Sequence, residues 1–408
     1  LLTATEASGD LLGAALMTGL RERLGDEVAF IGVGGARMAA AGLQSLFDPA
    51  ELAVLGAVNA LAVYPKVLRR ARDVADLAAR ERPDAAILID AWGFSLRVAR
   101  GIRRHAAQVK IIKYVAPQVW ATRPGRAKTL ARTVDHLLTL HNFDAAYFEA
   151  EGLPTTFVGN PALARDFSAA DGSKFRARTG IAADAPLLLV LPGSRAGEVE
   201  RLSPPFGDAA RRLKARIPNL EIVVAAAETV EAAVRAAVLR WPVPVTITTG
   251  EADRLSAMKS ATAALACSGT VTTELALAGC PFVVGYKLDP LTYQIAKRLL
   301  RTRWITLINV AAADEVAPEF IQKACAGDRL AESLAPWLTD DDRRLAQTKA
   351  QAAALRAMLG DIGAAKSAAD VVIELLGPGG ALFRQTLPLT GRGAAREPTP
   401  APARTAPP

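Results

Sequence analysis

The sequence predicts an α/β fold made of two Rossmann-like domains, each a mainly parallel sheet wrapped by helices. Three observations carry this. Short apolar runs alternate with helix-length segments rich in alanine and arginine, the rhythm of βαβ units. The runs are apolar throughout, as strands buried on both faces require. The rhythm stops at Gly159-Asn160-Pro161 and restarts at Leu187.

In the first half, residues 28–33, 85–89, 110–115 and 136–140 are the expected strands, with helices at 65–82 and 126–133. Pro65 is expected to open its helix, where a missing N–H does no harm. Val67, Ala71, Val74 and Ala78 then share one face, while Lys66, Arg69, Arg70 and Arg72 crowd the start. Such a helix fits a shallow contact with a membrane surface, and it fits equally a core-packed helix with a solvated basic face. Lys297, Arg298, Arg301, Arg303 and Trp304 form a second basic-aromatic group. In the second half the expected strands are 187–191, 220–225, 245–248, 263–267 and 281–286. The predicted organisation is therefore an N-terminal domain at 1–160, a linker at 161–185 and a C-terminal domain at 186–376, whose last helices pack back on the first domain. A tail at 377–408, rich in Pro, Gly, Ala and Thr, is expected to be disordered.

A chain of 408 residues, 51% of them hydrophobic, is long enough for two cores. Part of its +8 formal charge lies in the tail, where Arg384, Arg392, Arg396 and Arg404 face Glu397 alone. The body is only mildly basic, which argues against nucleic acid and suits an anionic substrate or membrane surface. Cys267, Cys280 and Cys325 are odd in number and lack metal spacing, so reduced thiols are expected. The apolar stretch 52–64 is too short to span a bilayer and contains Asn59, and no leader is seen, so a cytoplasmic protein is expected. The chain opens at Leu1 almost on a motif, and part of the first strand is expected to precede it. Of His105, His136 and His141, just the last ends a strand. Asp340-Asp-Asp342 reads as a solvated helix start, and neither a metal nor another cofactor is expected. Gly32-Val-Gly34-Gly35 lacks the third glycine of a dinucleotide turn, and Gly363-Ala-Ala-Lys366-Ser367 lacks the glycine that precedes a P-loop lysine. Hydride transfer and ATP hydrolysis both lose ground.

Ligands of open α/β sheets bind beyond the carboxyl ends of the strands, so candidates are sought there. Ser268-Gly269-Thr270 lies where a strand turns into a helix, and Glu274 follows one turn later. Unpartnered helix amides and the dipole would hold a phosphate there, Gly269 leaves room for it, and Glu274 is placed for ribose hydroxyls. An ordinary N-cap explains the same residues. Gly193-Ser194-Arg195, with Glu198, repeats the arrangement. An arginine opposes the dipole of a helix N-terminus, which suggests that Arg195 meets an anion such as a nucleotide's pyrophosphate; a surface loop arginine is the plainer reading. Asp90 ends an apolar strand, where a carboxylate is costly unless it faces a cleft as a general base or caps the next helix. Glu6 and Asp10 flank the first glycine turn and would bind or deprotonate a sugar hydroxyl, though Ser8 and Asp10 also suit helix capping. Asp90 ranks first as the base and Asp10 second.

Together, Glu6-Ala-Ser-Gly-Asp10, Gly32-Val-Gly-Gly35 with Met38, Val115-Ala-Pro-Gln-Val-Trp120, Leu191-Pro-Gly-Ser-Arg195 with Glu198, Ser268-Gly-Thr270 with Glu274, and Ala296-Lys-Arg298 resemble the lipid-A-disaccharide synthase family up to about Leu376. The resemblance implies an inverting GT-B glycosyltransferase, its two parallel sheets facing each other across a cleft. It would join UDP-2,3-diacylglucosamine to 2,3-diacylglucosamine 1-phosphate through a β-1,6 bond and release UDP without a metal. It also implies a monomer or homodimer that is peripheral to the lipids of the inner face of the cytoplasmic membrane. In those terms Gly193, Ser194, Arg195, Glu198, Ser268, Gly269, Thr270 and Glu274 bind UDP. Glu6, Ser8, Gln118 and Trp120 meet the acceptor, and Asp90 or Asp10 is the base. The family often carries a second aspartate where Gly93 stands here, a glycine at Thr5 and a tryptophan at Thr122. These departures touch the acceptor side, not the UDP motifs. A UDP-sugar epimerase of the same fold, or a nucleotide-sugar binder without a base, are the alternatives.

Overall fold

The computed structural model describes residues 1–52, 57–160, 167–300, 302–360 and 366–377, leaving aside the side chains of 57–62, 291, 295 and 296. Arg301 and the tail from 378 onward lie outside the described residues.

The first half runs β1 (Leu2–Thr3), α1 (Ala7–Leu24), β2 (Gly32–Val33), α2 (Ala36–Ala40), α3 (Ala57–Glu81), β3 (Ala85–Ile89), α4 (Trp92–His105), β4 (Lys110–Tyr114), α5 (Gly125–Ala131), β5 (His136–Thr139), α6 (Ala145–Glu149) and β6 (Thr155–Phe157). Its strands form one parallel sheet in the order β2-β1-β3-β4-β5-β6. The second half runs α7 (Gly172–Thr179), β7 (Leu187–Leu191), α8 (Ala196–Arg216), β8 (Glu221–Ala226), α9 (Glu231–Val238), β9 (Thr246–Thr249), α10 (Glu251–Ser260), β10 (Ala263–Cys267), α11 (Thr270–Leu277), β11 (Phe282–Tyr286), α12 (Pro290–Leu299), α13 (Leu307–Ala312), β12 (Glu319–Ile321), α14 (Gly327–Thr339), α15 (Asp341–Leu359) and α16 (Ala368–Leu376). Its parallel sheet is ordered β12-β11-β10-β7-β8-β9. Counted within that half, this is the strand order of doubly wound nucleotide-binding sheets.

The apolar runs are buried on both faces. Along β7, Leu188 and Val190 join one core cluster, while Leu187, Leu189 and Leu191 join the other. Along β3, Ala86 and Leu88 face one core, and Ala85, Ile87 and Ile89 face its opposite.

The structure differs from the sequence reading in several places. Strand pairing within 28–33 is confined to Gly32 and Val33. Pro65 lies inside α3 rather than opening it. On that helix Ala71, Val74 and Ala78 are buried with Val67 packed beside them, so its apolar face serves the core. Arg70 is committed to Glu51 at 2.8 Å and Asp73 at 3.1 Å, leaving Arg69 and Arg72 exposed. The stretch expected as a linker carries α7, capped by Asp171 through Lys174 N at 3.0 Å, and Phe175 and Ile181 enter the second core.

The last helix crosses back. Ala369, Val371 and Val372 of α16 share a cluster with Leu12, Leu16, Met17 and Leu20 of α1. Arg23 reaches Asp370 at 3.1 Å and Ser367 at 3.1 Å, and Lys110 donates to the Leu375 carbonyl at 2.6 Å. In the other direction, Phe143 of the first half packs on the second-half cluster.

Candidate functional site

In an open parallel sheet, the strands on either side of the point where strand order reverses send their connections to opposite faces and leave a crevice at their carboxyl ends. The first sheet reverses between β1 and β3, and the second between β7 and β10. Glu6–Asp10, Asp90, Gly193–Glu198 and Ser268–Glu274 each follow one of these four strands.

In the first crevice, Glu6 stands at the N-cap position of α1, and Asp90 follows β3 with φ +48. Ser8 Oγ donates to Asp90 Oδ2 at 3.5 Å, bringing the two motifs together. Ala91 (φ +41) and Val115 (φ +76) share the left-handed conformation, which costs non-glycine residues on the order of 1–3 kcal/mol each. Such strain at strand ends marks a turn held by its surroundings. The Glu6 carboxyl is raised above the ordinary carboxylate range by burial first and then by the Asp90 charge, with Lys113 opposing. At Gly93, among the described residues, an added Cβ would meet just Arg97 Nη1 at 3.5 Å, so a side chain has room there.

Asp10 does not belong with these groups. It is 7% exposed, and its oxygens accept the amides of Gly35 (2.7 Å), Arg37 (2.9 Å) and Met38 (3.1 Å). It caps the neighbouring helix α2, so its oxygens are taken up by amides of the fold rather than turned toward a substrate.

Beyond β4, Gln118 is exposed and Trp120 packs edge-on against Phe143 at 5.9 Å. His141 stacks on the same ring at 5.4 Å and meets Asp144 through Nδ1 at 3.1 Å. Trp120 Nε1 and His141 Nε2 are both buried and have no hydrogen-bond partner among the described residues.

In the second crevice, Gly193 takes φ +115, and a Cβ there would lie 2.6 Å from Glu198 Oε2. The sequence reading grouped Glu198 with the ligand-binding residues, but it is buried and braces the turn instead. It accepts Ser194 N at 3.1 Å and Arg195 N at 3.3 Å, and it pairs with Arg195 Nη1 at 3.0 Å. The Arg195 side chain is 79% exposed, a cation tethered at one end and open to solvent. Across from it, Gly269 caps α11, and no described residue lies within 4 Å of an added Cβ. Thr270 is exposed, and Ser268 Oγ donates to the Ile305 carbonyl at 3.4 Å. Glu274 is buried, and its carboxylate pairs with Arg254 of α10 at 2.9 Å. Any hold on a ribose therefore involves Arg254 as well.

Behind the Ser268 turn, Glu319 accepts Ile305 N (2.8 Å), Thr306 N (2.9 Å) and Asn309 Nδ2 (2.9 Å), fixing the segment that Ser268 touches. Burial pushes the Cys267 thiol up to about 12, so it stays protonated and inert. Sequence reasoning missed Arg254, the Trp120–Phe143–His141 stack and Lys113. The one available signal for Lys113 was a lysine inside a strand that is otherwise two-sided core.

Comparison with known proteins follows the same line. A family model described as lipid-A-disaccharide synthetase matches residues 1–371. A lipid-A-disaccharide synthase of Rhodospirillum centenum is 43% identical over 376 residues, covering 92% of this chain and 94% of the relative. One from Paramagnetospirillum magneticum is 44% identical over 381 residues, covering 93% and 97%. Among solved structures, MurG of Acinetobacter baumannii aligns with a TM-score of 0.54 at 15% identity, over 92% of this chain and 98% of its own. The UDP-GlcNAc 2-epimerase of Neisseria meningitidis bound to UDP-GlcNAc aligns at 0.56 and 10%, with the same coverage. These structural likenesses speak to the fold alone.

Proposed function

The chain belongs to the lipid-A-disaccharide synthase family, and from that membership we propose how its two crevices divide the reaction. It is a glycosyltransferase of GT-B fold that uses a UDP-sugar donor and a lipid acceptor.

The donor is UDP-2,3-diacylglucosamine and the acceptor 2,3-diacylglucosamine 1-phosphate. UDP occupies the second crevice, at the Gly193–Arg195 and Ser268–Thr270 turns, with Glu274 and Arg254 toward the ribose. Glu198 acts on it through Arg195. The acceptor occupies the first crevice among Glu6, Ser8, Gln118 and Trp120. Asp90 takes the proton of the acceptor's primary hydroxyl as its oxygen bonds to the anomeric carbon from the face opposite UDP. The bond from that carbon to the diphosphate oxygen breaks, its electron pair leaves with UDP, and the new linkage is β-1,6. Arg195 and the α11 dipole meet the charge that grows on the diphosphate, so the reaction needs no metal. The observation that carries this reading is that both reversal points hold matching chemistry, cation and open turn at one, carboxylates at the other.

Among the described residues no helix is long and apolar enough to cross a membrane. We place the enzyme at the cytoplasmic membrane surface instead. Tyr64, 48% exposed and bonded to Arg97 at 3.0 Å, and the groove lined by Arg100, Arg103, Arg104, Lys128 and Arg132 support contact with anionic lipid headgroups.

The test is an assay of both lipid substrates in EDTA, following UDP and disaccharide. Disaccharide formation is expected, and Asp90→Asn should cut it by roughly a hundredfold or more with UDP affinity unchanged. UDP release that needs no acceptor would sink the transferase mechanism.

A further inference from the structure

Lysine is almost never fully buried without a partner, yet Lys113 on β4 is 2% exposed. Its register neighbours are Leu88 on β3 and Leu137 on β5, so no acid lies beside it in the sheet. Its Nζ turns to the strand ends and donates to the carbonyls of Leu88 (3.1 Å), Asp90 (2.7 Å) and Tyr114 (2.9 Å). These lie at the ends of β3 and β4, where Asp90, Ala91 and Val115 are left-handed.

Filling the Asp90 and Tyr114 carbonyls does not by itself explain the lysine. The Asp90 carbonyl already accepts Ser95 Oγ at 2.6 Å, and the Tyr114 carbonyl accepts Asp90 N at 3.0 Å. A methionine would occupy the same space without burying a charge. What the ammonium adds is positive charge beneath the crevice. The charged groups that act on it are Asp90, at the end of β3, and Glu6, at the start of α1. Burial draws it down to about 7, while Asp90 and then Glu6 pull it back up.

We propose that Lys113 is a positioning residue for glycosyl transfer: its ammonium clamps the strained Asp90 turn and sets positive charge beneath the Asp90 and Glu6 carboxylates. Two carboxylates sharing one crevice repel, and without a cation one of them takes up a proton. A protonated Asp90 cannot receive the acceptor's hydroxyl proton, so the hydroxyl oxygen would attack the anomeric carbon with no base to relieve it. This role rests on Asp90 as the base.

The experiment measures kcat/KM against pH for Lys113→Met and Lys113→Gln, together with thermal melting at pH 6 and UDP affinity. In both variants the acid limb should move up by about one pH unit, a roughly tenfold loss of rate below it. UDP affinity should hold, and the Tm at pH 6 should be no lower than the parent's. The sign follows from Lys113 standing near 7 in the fold against an ordinary 10.5. The fold penalises the charged form at and below pH 7, and the penalty fades as pH rises toward 10.5, so the methionine variant gains most on the acid side. Profiles that superimpose on the parent's, a Tm that falls in step with the rate, or failure of both variants to fold would each overturn the role. Asp90→Asn separates the two readings. Parental turnover in that variant would remove the base assignment and this role with it. An inactive Asp90→Asn beside unshifted Lys113 profiles would remove the Lys113 role alone.

Discussion

Gly193 shows how much of the donor site hangs on one missing carbon. Alanine there would have to hold φ near +115 and displace the Glu198 carboxylate 2.6 Å away, and that carboxylate is what tethers Arg195. Gly193→Ala should therefore weaken UDP binding by about tenfold or more and lower the Tm by a few degrees, as read by calorimetry and a melting curve. Unchanged UDP affinity would mean that Arg195 does not meet the diphosphate. Gly193, Ser268 and Asp90 were legible in the sequence because each punctuates an apolar run, and punctuation is local. The role of Asp10 was not, because the amides it caps lie at the start of α2, some 25 residues further along the chain. Lys113 stood out as a lysine inside a core strand, but its role was not legible: nothing in the sequence says which residues of a strand lie under its neighbour's turn.

Among the elements, the interior strands β3, β7 and β10 match their apolar runs residue for residue, since burial on both faces leaves a run of strand length with nothing polar in it. The edge strands β6 and β12 escaped notice because Thr155–Phe157 and Glu319–Ile321 are half-buried, mixed in character and three residues long. The helix with the largest consequence is short. In α16, Ser367 caps the first turn through Asp370 N at 3.2 Å, and Arg23 draws the Asp370 carboxyl down to about 2. Its apolar side closes the α1 face of the first sheet, with Val372 1% exposed. Val372→Asp would bury an unpaired carboxylate in that cluster, which should cost about 3–5 kcal/mol and unfold the first half at lower denaturant than the second. A single transition with an unchanged midpoint would show that α16 is dispensable.

At the scale of the molecule, the proposed function gives each half one job, and residues of each half pack on the other. Phe143 leans from the first half onto the second core, while α16 returns from the second half to complete the first. That return has a consequence for biosynthesis. Residues 368–376 leave the ribosome only after the whole second sheet has been made, so the domain begun first is finished last. Until then the Leu12, Leu16 and Leu20 cluster of α1 lacks the Ala369, Val371 and Val372 part of its packing, and the nascent first domain is expected to expose apolar surface. A fragment of residues 1–160 should accordingly bind a hydrophobic dye and melt without cooperativity. Adding a peptide of residues 366–377 should restore a cooperative transition, and a fragment that melts cooperatively by itself would refute this order of assembly.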